Sequence, residues 1–145
     1  MFHHALSIET SHPLEILDIT SQVQSAVHAA EVSNGLVLVS TPHTTAALRL
    51  NHAEPLLLQD TLRELYRLVP HDTSYNHDQH ELRQGTHPKL HTKGHAHLKA
   101  LLLGQSATLP LVGGRLVLGD QQNILFVECA GPKKRTVHVT VIADA

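Results

Sequence analysis

The sequence has no tryptophan, and aromatic residues make up only 3% of it. A core must then be built from Leu, Val, Ile and Ala, within a hydrophobic share of 41%. The same shortage argues against RNA recognition, which relies on rings stacking on bases beside basic patches. Charge of one sign is lacking too. The 13 acidic and 11 basic side chains leave a formal charge of -2, so bulk electrostatics favour neither nucleic acid nor an anionic membrane. Cysteine occurs once, at Cys129; it cannot form an internal disulfide, and its apolar neighbours suit a buried, inert thiol in a reducing compartment. No apolar run approaches the length that spans a bilayer, and Met1-Phe2-His3-His4 has neither the basic nor the apolar region of a signal peptide. A cytoplasmic address is therefore expected. Gly-x-Ser-x-Gly, phosphate-loop, Gly-x-Gly-x-x-Gly and Cys-x-x-Cys signatures are also missing, which removes several enzyme classes.

Histidine is abundant. There are 14, and His71, His77, His80, His87, His91, His95 and His97 fall in one segment. Histidine titrates near neutral pH and is the commonest metal ligand, so the cluster calls for an explanation beyond solvated loop residues.

The 145 residues suit a single domain, 1–145. Residues 3–10 and Leu14–Ile19 read as strands. Thr20 or Ser21 then caps a helix with Val23, Ala26, Val27 and Ala30 on one face, stopped at Asn34-Gly35. Leu36–Ser40 is a continuous buried-strand run, and Ala46–Asn51 is extended again. Glu54-Pro55 opens a helix with Leu58, Leu62, Leu65 and Val69 as its stripe. From His71 to Gly94 periodicity fades and a long loop is predicted. A helix over His95–Leu103 follows, ended by Gly104. Ala107–Val112 and Arg115–Leu118 flank the hairpin signal Gly113-Gly114, and Asn123–Cys129 and Thr136–Ile142 complete a meander. This order predicts an α+β fold, with about three helices covering one face of a mixed or antiparallel, sandwich-like β-sheet.

Three constellations can carry chemistry. Thr41-Pro42-His43-Thr44-Thr45 directly follows a buried strand, where rigid scaffolds commonly present polar groups to a cleft. It reads either as an anion or carbonyl site with a proton-shuttling or metal-ligating His43, or as a turn of local hydrogen bonds. In the histidine segment, His87, His91 and His95 recur every four residues, but Pro88 and Gly94 break the helix that would align them. His97 lies one turn before Leu101 and borders the buried stripe; Lys99 is either a cleft group or a solvated helix lysine. In the meander, Glu128 stands in an apolar strand, where a carboxylate faces outward or must be paired, protonated or bound. Lys133-Lys134-Arg135 at a turn is a phosphate grip or a solubilising basic turn.

The strings TPHTTAALRLNHAEP, HAHLKALLLGQS and LPLVGGRLVLGDQQNILFVECAGPKKR resemble the YjbQ-like family, the secondary thiamine-phosphate synthases, over nearly the whole chain. The resemblance implies a compact YjbQ-like α+β domain that assembles as a homotrimer. It also implies an enzyme, a transferase joining hydroxymethylpyrimidine diphosphate to thiazole phosphate with release of pyrophosphate. Matching positions are His43, Thr44, Thr45 and Asn51; His77 in Tyr75-Asn76-His77; His97 and Lys99; Gly104, Gly114 and Gly119; and Gln122, Glu128 and Arg135. His52 replaces the family's usual Glu. Gly119-Asp120-Gln121-Gln122 replaces Gly-Thr-Trp-Gln, removing a ring that could stack on a pyrimidine. The histidine-rich loop around Arg83–Lys93 is longer than the usual one.

On this resemblance, His43, Thr44, Thr45, His97, Lys99 and Glu128 are expected to be catalytic, and Asn51, Gln122 and Arg135 to bind substrate or phosphate. His43, His77 and His97 are expected to hold a divalent metal, zinc or magnesium, or a phosphate; three imidazoles would leave the open position of a catalytic zinc site. Arg135 or Lys99 would neutralise the leaving diphosphate, and Glu128 would orient a histidine. The expected partner is a phosphorylated small molecule, with neither nucleic acid nor membrane. The rival readings are a metal-dependent hydrolase of a phosphorylated small molecule and a non-catalytic trimer that binds metal or metabolite.

Overall fold

The computed structural model describes residues 1–84 and 92–145. Their elements are β1 (Phe2–Glu9), β2 (Glu15–Asp18), α1 (Thr20–Ala29), β3 (Gly35–Ser40), β4 (Ala46–Asn51) and α2 (Pro55–Leu68). There follow α3 (Asn76–Arg83), α4 (Gly94–Leu103), β5 (Ser106–Val112), β6 (Arg115–Leu116), β7 (Asn123–Glu128) and β8 (Lys134–Ala143). The strands form two antiparallel sheets, ordered β1-β8-β3-β5-β6 and β2-β7-β4. The fold is thus α+β and sandwich-like, as the element order predicts, with α3 as a helix more than expected. His87 and His91 lie outside the described residues.

Apolar periodicity sets these layers. In β8, Arg135, Val137, Val139 and Val141 are buried while the residues between them are partly exposed. Their valines meet Val37 and Val39 of β3, Leu48 of β4, Ile124 and Phe126 of β7, and Val23 and Val27 of α1 in the main core. The other face of the small sheet offers Ala47 and Val127, against which Leu65 of α2 and Ala96 of α4 pack beside Cys129. Sandwiched between core and helices, β7 is buried from Ile124 to Glu128, which accounts for its uninterrupted apolar run. The β5–β6 hairpin turns through Gly113 (φ 59°) and Gly114 (φ 75°), the left-handed region that the Gly-Gly pair supplies without strain.

Caps fix the helices beside the small sheet. Glu54 accepts from the amides of Leu56 (3.0 Å) and Leu57 (2.7 Å) at the start of α2, and Pro55 occupies a first-turn position that needs no donor. The start of α4 is capped from a distance by α3. Asp78 accepts from Gly94 N (3.1 Å) and from Tyr75 N (3.2 Å), and Glu81 accepts from Lys93 N (2.6 Å). A Cβ on Gly94 would stand 2.7 Å from Asp78 Oδ1 and 2.8 Å from Tyr75 Cβ, so this close approach of α3 to α4 requires glycine.

Candidate functional site

The Pro42–Thr45 loop runs between β3 and β4, and bonds from three directions pin it. Thr41 donates its amide to Gln105 O (3.0 Å) and its hydroxyl to Thr136 O (3.0 Å). Gln105 Nε2 donates to His43 O (3.1 Å), and Cys129 N donates to Thr45 O (3.1 Å).

Beneath the loop, Glu128 and Arg135 are 0% and 4% exposed. Arg135 donates Nε to Glu128 Oε2 (2.7 Å) and Nη2 to Oε1, the fork geometry that suits guanidinium and carboxylate. Nη2 also reaches Thr45 Oγ1 at 2.9 Å. The remaining capacity of Glu128 is filled by the Thr10 hydroxyl (2.9 Å) and Ala130 N (2.9 Å). Burial alone would raise the Glu128 carboxyl, but the hydrogen bonds from Arg135, Ala130 and Thr10 outweigh it and hold it below the usual carboxylate range. Glu128 is therefore neither outward-facing nor the partner of a histidine; its partner is Arg135. Arg135 in turn spends Nε and Nη2 on Glu128 and Thr45, and Thr45 lends it its hydroxyl. These three residues build the floor of the site, and Thr44, exposed, stands above it.

His43 is partly buried on this floor. Its Nε2 accepts from Thr136 N at 2.9 Å. Burial lowers its pKa, and the neighbouring Arg135, Lys133 and His138 lower it further against Glu128. Beside it, the ammonium of Lys133 meets that of Lys93; burial first and then Lys93 push Lys133 down to about 8. His97, one turn into α4, faces the carbonyl of Thr44 and stacks edge-on with His77 of α3 at 4.8 Å between ring centroids. Burial, then His77, lowers its pKa, while Glu81 and the Thr44 carbonyl oppose them. Three imidazoles and two ammonium groups thus share the region where the start of β8, α3 and α4 meet the loop. Lys133 was legible as a basic turn; Lys93 was not, because only tertiary structure sets it against a residue forty positions later.

Other expected site residues lie elsewhere. Lys99 is 2% exposed and is not a solvated helix lysine. Its Nζ is 2.9 Å from Nδ1 of His95, below a cleft of about 460 Å³ lined by His71, Asp72, Thr92 and His95 among others. Burial, then Lys99 and His71, bring His95 down to about 4. Lys99 is lowered by burial. Asn51 and Gln122 lie at the opposite end of β4, about 17 Å along the strand from Ala46, where they line a cleft of about 570 Å³ with His52 and Asp120. Asn51 Oδ1 accepts from His52 N, and Gln122 Oε1 accepts from Gly119 N. Cys129 is buried and pushed up to about 12 by burial, an inert thiol as expected.

Among the described residues no three His, Cys, Asp or Glu side chains gather closely enough to hold a metal ion. His77 and His97 meet, but the Nε2 lone pair of His43 is taken by a backbone amide. Within this one chain the three-histidine set does not fit a metal. No helix among the described residues is long and apolar enough to cross a membrane.

Comparison with known proteins places this geometry in a family. The family model described as "UPF0047 protein YjbQ-like" matches residues 4–144. A UPF0047 protein of Archaeoglobus fulgidus is 44% identical over 137 residues, covering 94% of this chain and 98% of its own. The UPF0047 protein YugU of Bacillus subtilis is 32% identical, covering 94% and 96%. Among solved structures, a hypothetical protein from Aeropyrum pernix K1 superposes with a TM-score of 0.88 at 35% identity over 99% of this chain and 100% of its own. A YbjQ-like protein of unknown function from Sulfolobus solfataricus P2 gives 0.86 at 30% identity over 99% and 97%.

Proposed function

We propose, from the premise that this chain belongs to the YjbQ-like UPF0047 family, that it is a transferase of the secondary thiamine-phosphate synthase type, coupling hydroxymethylpyrimidine diphosphate to thiazole phosphate. The observation that carries this reading is the meeting of Lys93 and Lys133 beside His43 and His97. Two ammonium groups brought together repel each other, and a polyanion between them relieves that repulsion. A diphosphate supplies it.

In the coupling, the bond from the pyrimidine methylene carbon to the diphosphate oxygen breaks, and its electron pair leaves with pyrophosphate. The thiazole nitrogen donates its lone pair to the same carbon. The task for the protein is to stabilise charge growing on the departing oxygens. Lys93 and Lys133 hold the diphosphate, and the exposed Thr44 hydroxyl adds a donor at the loop. Arg135 and Glu128 act as positioning residues that fix the loop through Thr45. The setting proposed is a cytoplasmic homotrimer; Leu36, Val112 and Ile142, exposed on the outer face of the five-stranded sheet, offer apolar surface for contact between copies.

The test is pyrophosphate release. Release that requires both precursors together supports the synthase. Phosphate liberated from one precursor alone makes the protein a hydrolase, and no product from either makes it a binding protein; each of these overturns the proposal.

A further inference from the structure

We infer that His43 is held as the neutral imidazole with its proton on Nδ1, and that it serves this site as a hydrogen-bond donor to a phosphoryl oxygen. The inference deepens the proposed function, since the ligand class rests on that reading. It assigns His43 a role different from a metal ligand or a general base.

The argument starts from Thr136. A backbone N–H can only donate, and this one points at Nε2 of His43 from 2.9 Å. Nε2 must then present its lone pair. In a neutral imidazole the other nitrogen carries the proton, so the amide fixes the tautomer, much as a second partner fixes the orientation of a metal-bound histidine. A proton on Nε2 would set two N–H groups against each other and leave the Thr136 amide without an acceptor, at a cost comparable to a lost hydrogen bond. The ring cannot turn away cheaply, because its own loop is tied down by Gln105, Cys129 and the Thr41 hydroxyl.

Nδ1 is the end left for a ligand. It has no hydrogen-bond partner among the described residues, and it is not sealed from solvent: the buried side-chain nitrogen or oxygen atom without a partner among the described residues is Nδ1 of His138. The charged groups around the ring are Arg135, Lys133 and Glu128, and Glu128 is already committed to Arg135. An Nδ1–H in cationic surroundings recognises an oxygen acceptor bearing negative charge. The same constraint removes both metal ligation and proton abstraction: Nε2 has no lone pair to give, and Nδ1 has none in this tautomer.

The experiment reads the tautomer directly. Long-range proton–nitrogen NMR of ¹⁵N-labelled full-length protein assigns which ring nitrogen of His43 is protonated, first free and then with inorganic pyrophosphate as probe. The expected result is a pyrrole-like Nδ1 and a pyridine-like Nε2 in both states, with the Nδ1 resonance shifted by pyrophosphate. In parallel, His43→Ala should weaken pyrophosphate binding roughly tenfold or more, the scale of one hydrogen bond to a charged group. His43→Asn, which keeps a short side-chain N–H donor, should recover part of it; the backbone amide spectrum shows that both variants are folded. A proton on Nε2, a doubly protonated ring in the complex, pyrophosphate that fails to bind, or an affinity untouched in His43→Ala overturns the inference. Pyrophosphate that binds with the predicted tautomer, in a protein that does not couple the two precursors, leaves the inference standing and removes the synthase reading instead.

Discussion

The two ends of strand β7 have opposite characters. At its C-terminal end, Glu128 is sealed beneath the Pro42–Thr45 loop, with bonds from Arg135, Thr10 and Ala130. At its N-terminal end, Asn123 Oδ1 accepts from Ala53 N, and the preceding Gln122 accepts from Gly119 N and lines an open cleft. The core between them is equally apolar, so the difference is not one of stability alone. A buried ion pair is a poor stabiliser compared with hydrophobic residues of the same shape. Its presence at one end fits a loop that must be held in one geometry, and His43, the proposed donor to a phosphoryl oxygen, stands on that loop.

Perturbing the sealed end should have the largest effect. Glu128→Ala strands the Arg135 guanidinium without its carboxylate and should cost about 3–5 kcal/mol in urea unfolding. The double replacement Glu128→Leu with Arg135→Met should cost less than that single change, because no uncompensated charge remains; equal losses would mean that packing, not the charge pair, dominates. Next in size is the α3–α4 corner. Asp78→Ala leaves the Gly94 and Tyr75 amides without their acceptor and should cost about 1–3 kcal/mol by the same measurement, with α4 losing amide protection first.

A third effect is read through pH. His95 titrates near 4 in the fold against an ordinary value of 6.5, so between those values the unfolded chain binds the extra proton. Stability contributed by His95 is present above about 6.5 and is lost as pH falls toward 4. The melting temperature of His95→Gln should therefore fall less steeply than that of the wild type across this window, and the two profiles should run parallel above it. The smallest effect is at the open end, where Gln122→Ala should change stability by no more than about 0.5 kcal/mol.

The sequence was most readable where a short-range rule decided the outcome. Alternation in Thr136–Ile142, Glu54-Pro55 before a leucine stripe and Gly113-Gly114 each carry their own signal, and each element is present. Helix α3 lacked such a signal. Tyr75 stands where Ser, Thr, Asp or Asn would mark the helix start, and the acceptors that make the helix useful, Asp78 and Glu81, serve amides at residues 93 and 94. For the site, the loop motif was legible but its wiring was not. That Glu128 needed a partner followed from its apolar neighbours; that the partner is Arg135 follows from β8 returning beside the loop. Spacing along α4 tied His97 to a buried stripe through Leu101, but Leu101 is 75% exposed and the buried positions include Ala96, Lys99 and Ala100. His97 meets the Thr44 carbonyl, whereas Lys99 reaches His95, and it is His95 that lines the cleft of about 460 Å³. The imidazoles of His43, His77 and His97 share a region without converging on one point, because His43 faces a backbone amide.

The measurement that bears most directly on the sealed end as the functional one is calorimetric titration of inorganic pyrophosphate into three proteins: the wild type, Lys133→Ala and Gln122→Ala. The prediction is binding by the wild type, a loss of tenfold or more in Lys133→Ala, on the scale of a charge-assisted hydrogen bond, and an unchanged affinity in Gln122→Ala. Wild-type protein that does not bind, or a loss that appears in Gln122→Ala and not in Lys133→Ala, would contradict it and place the anion site at the other end of the strand or nowhere on this chain.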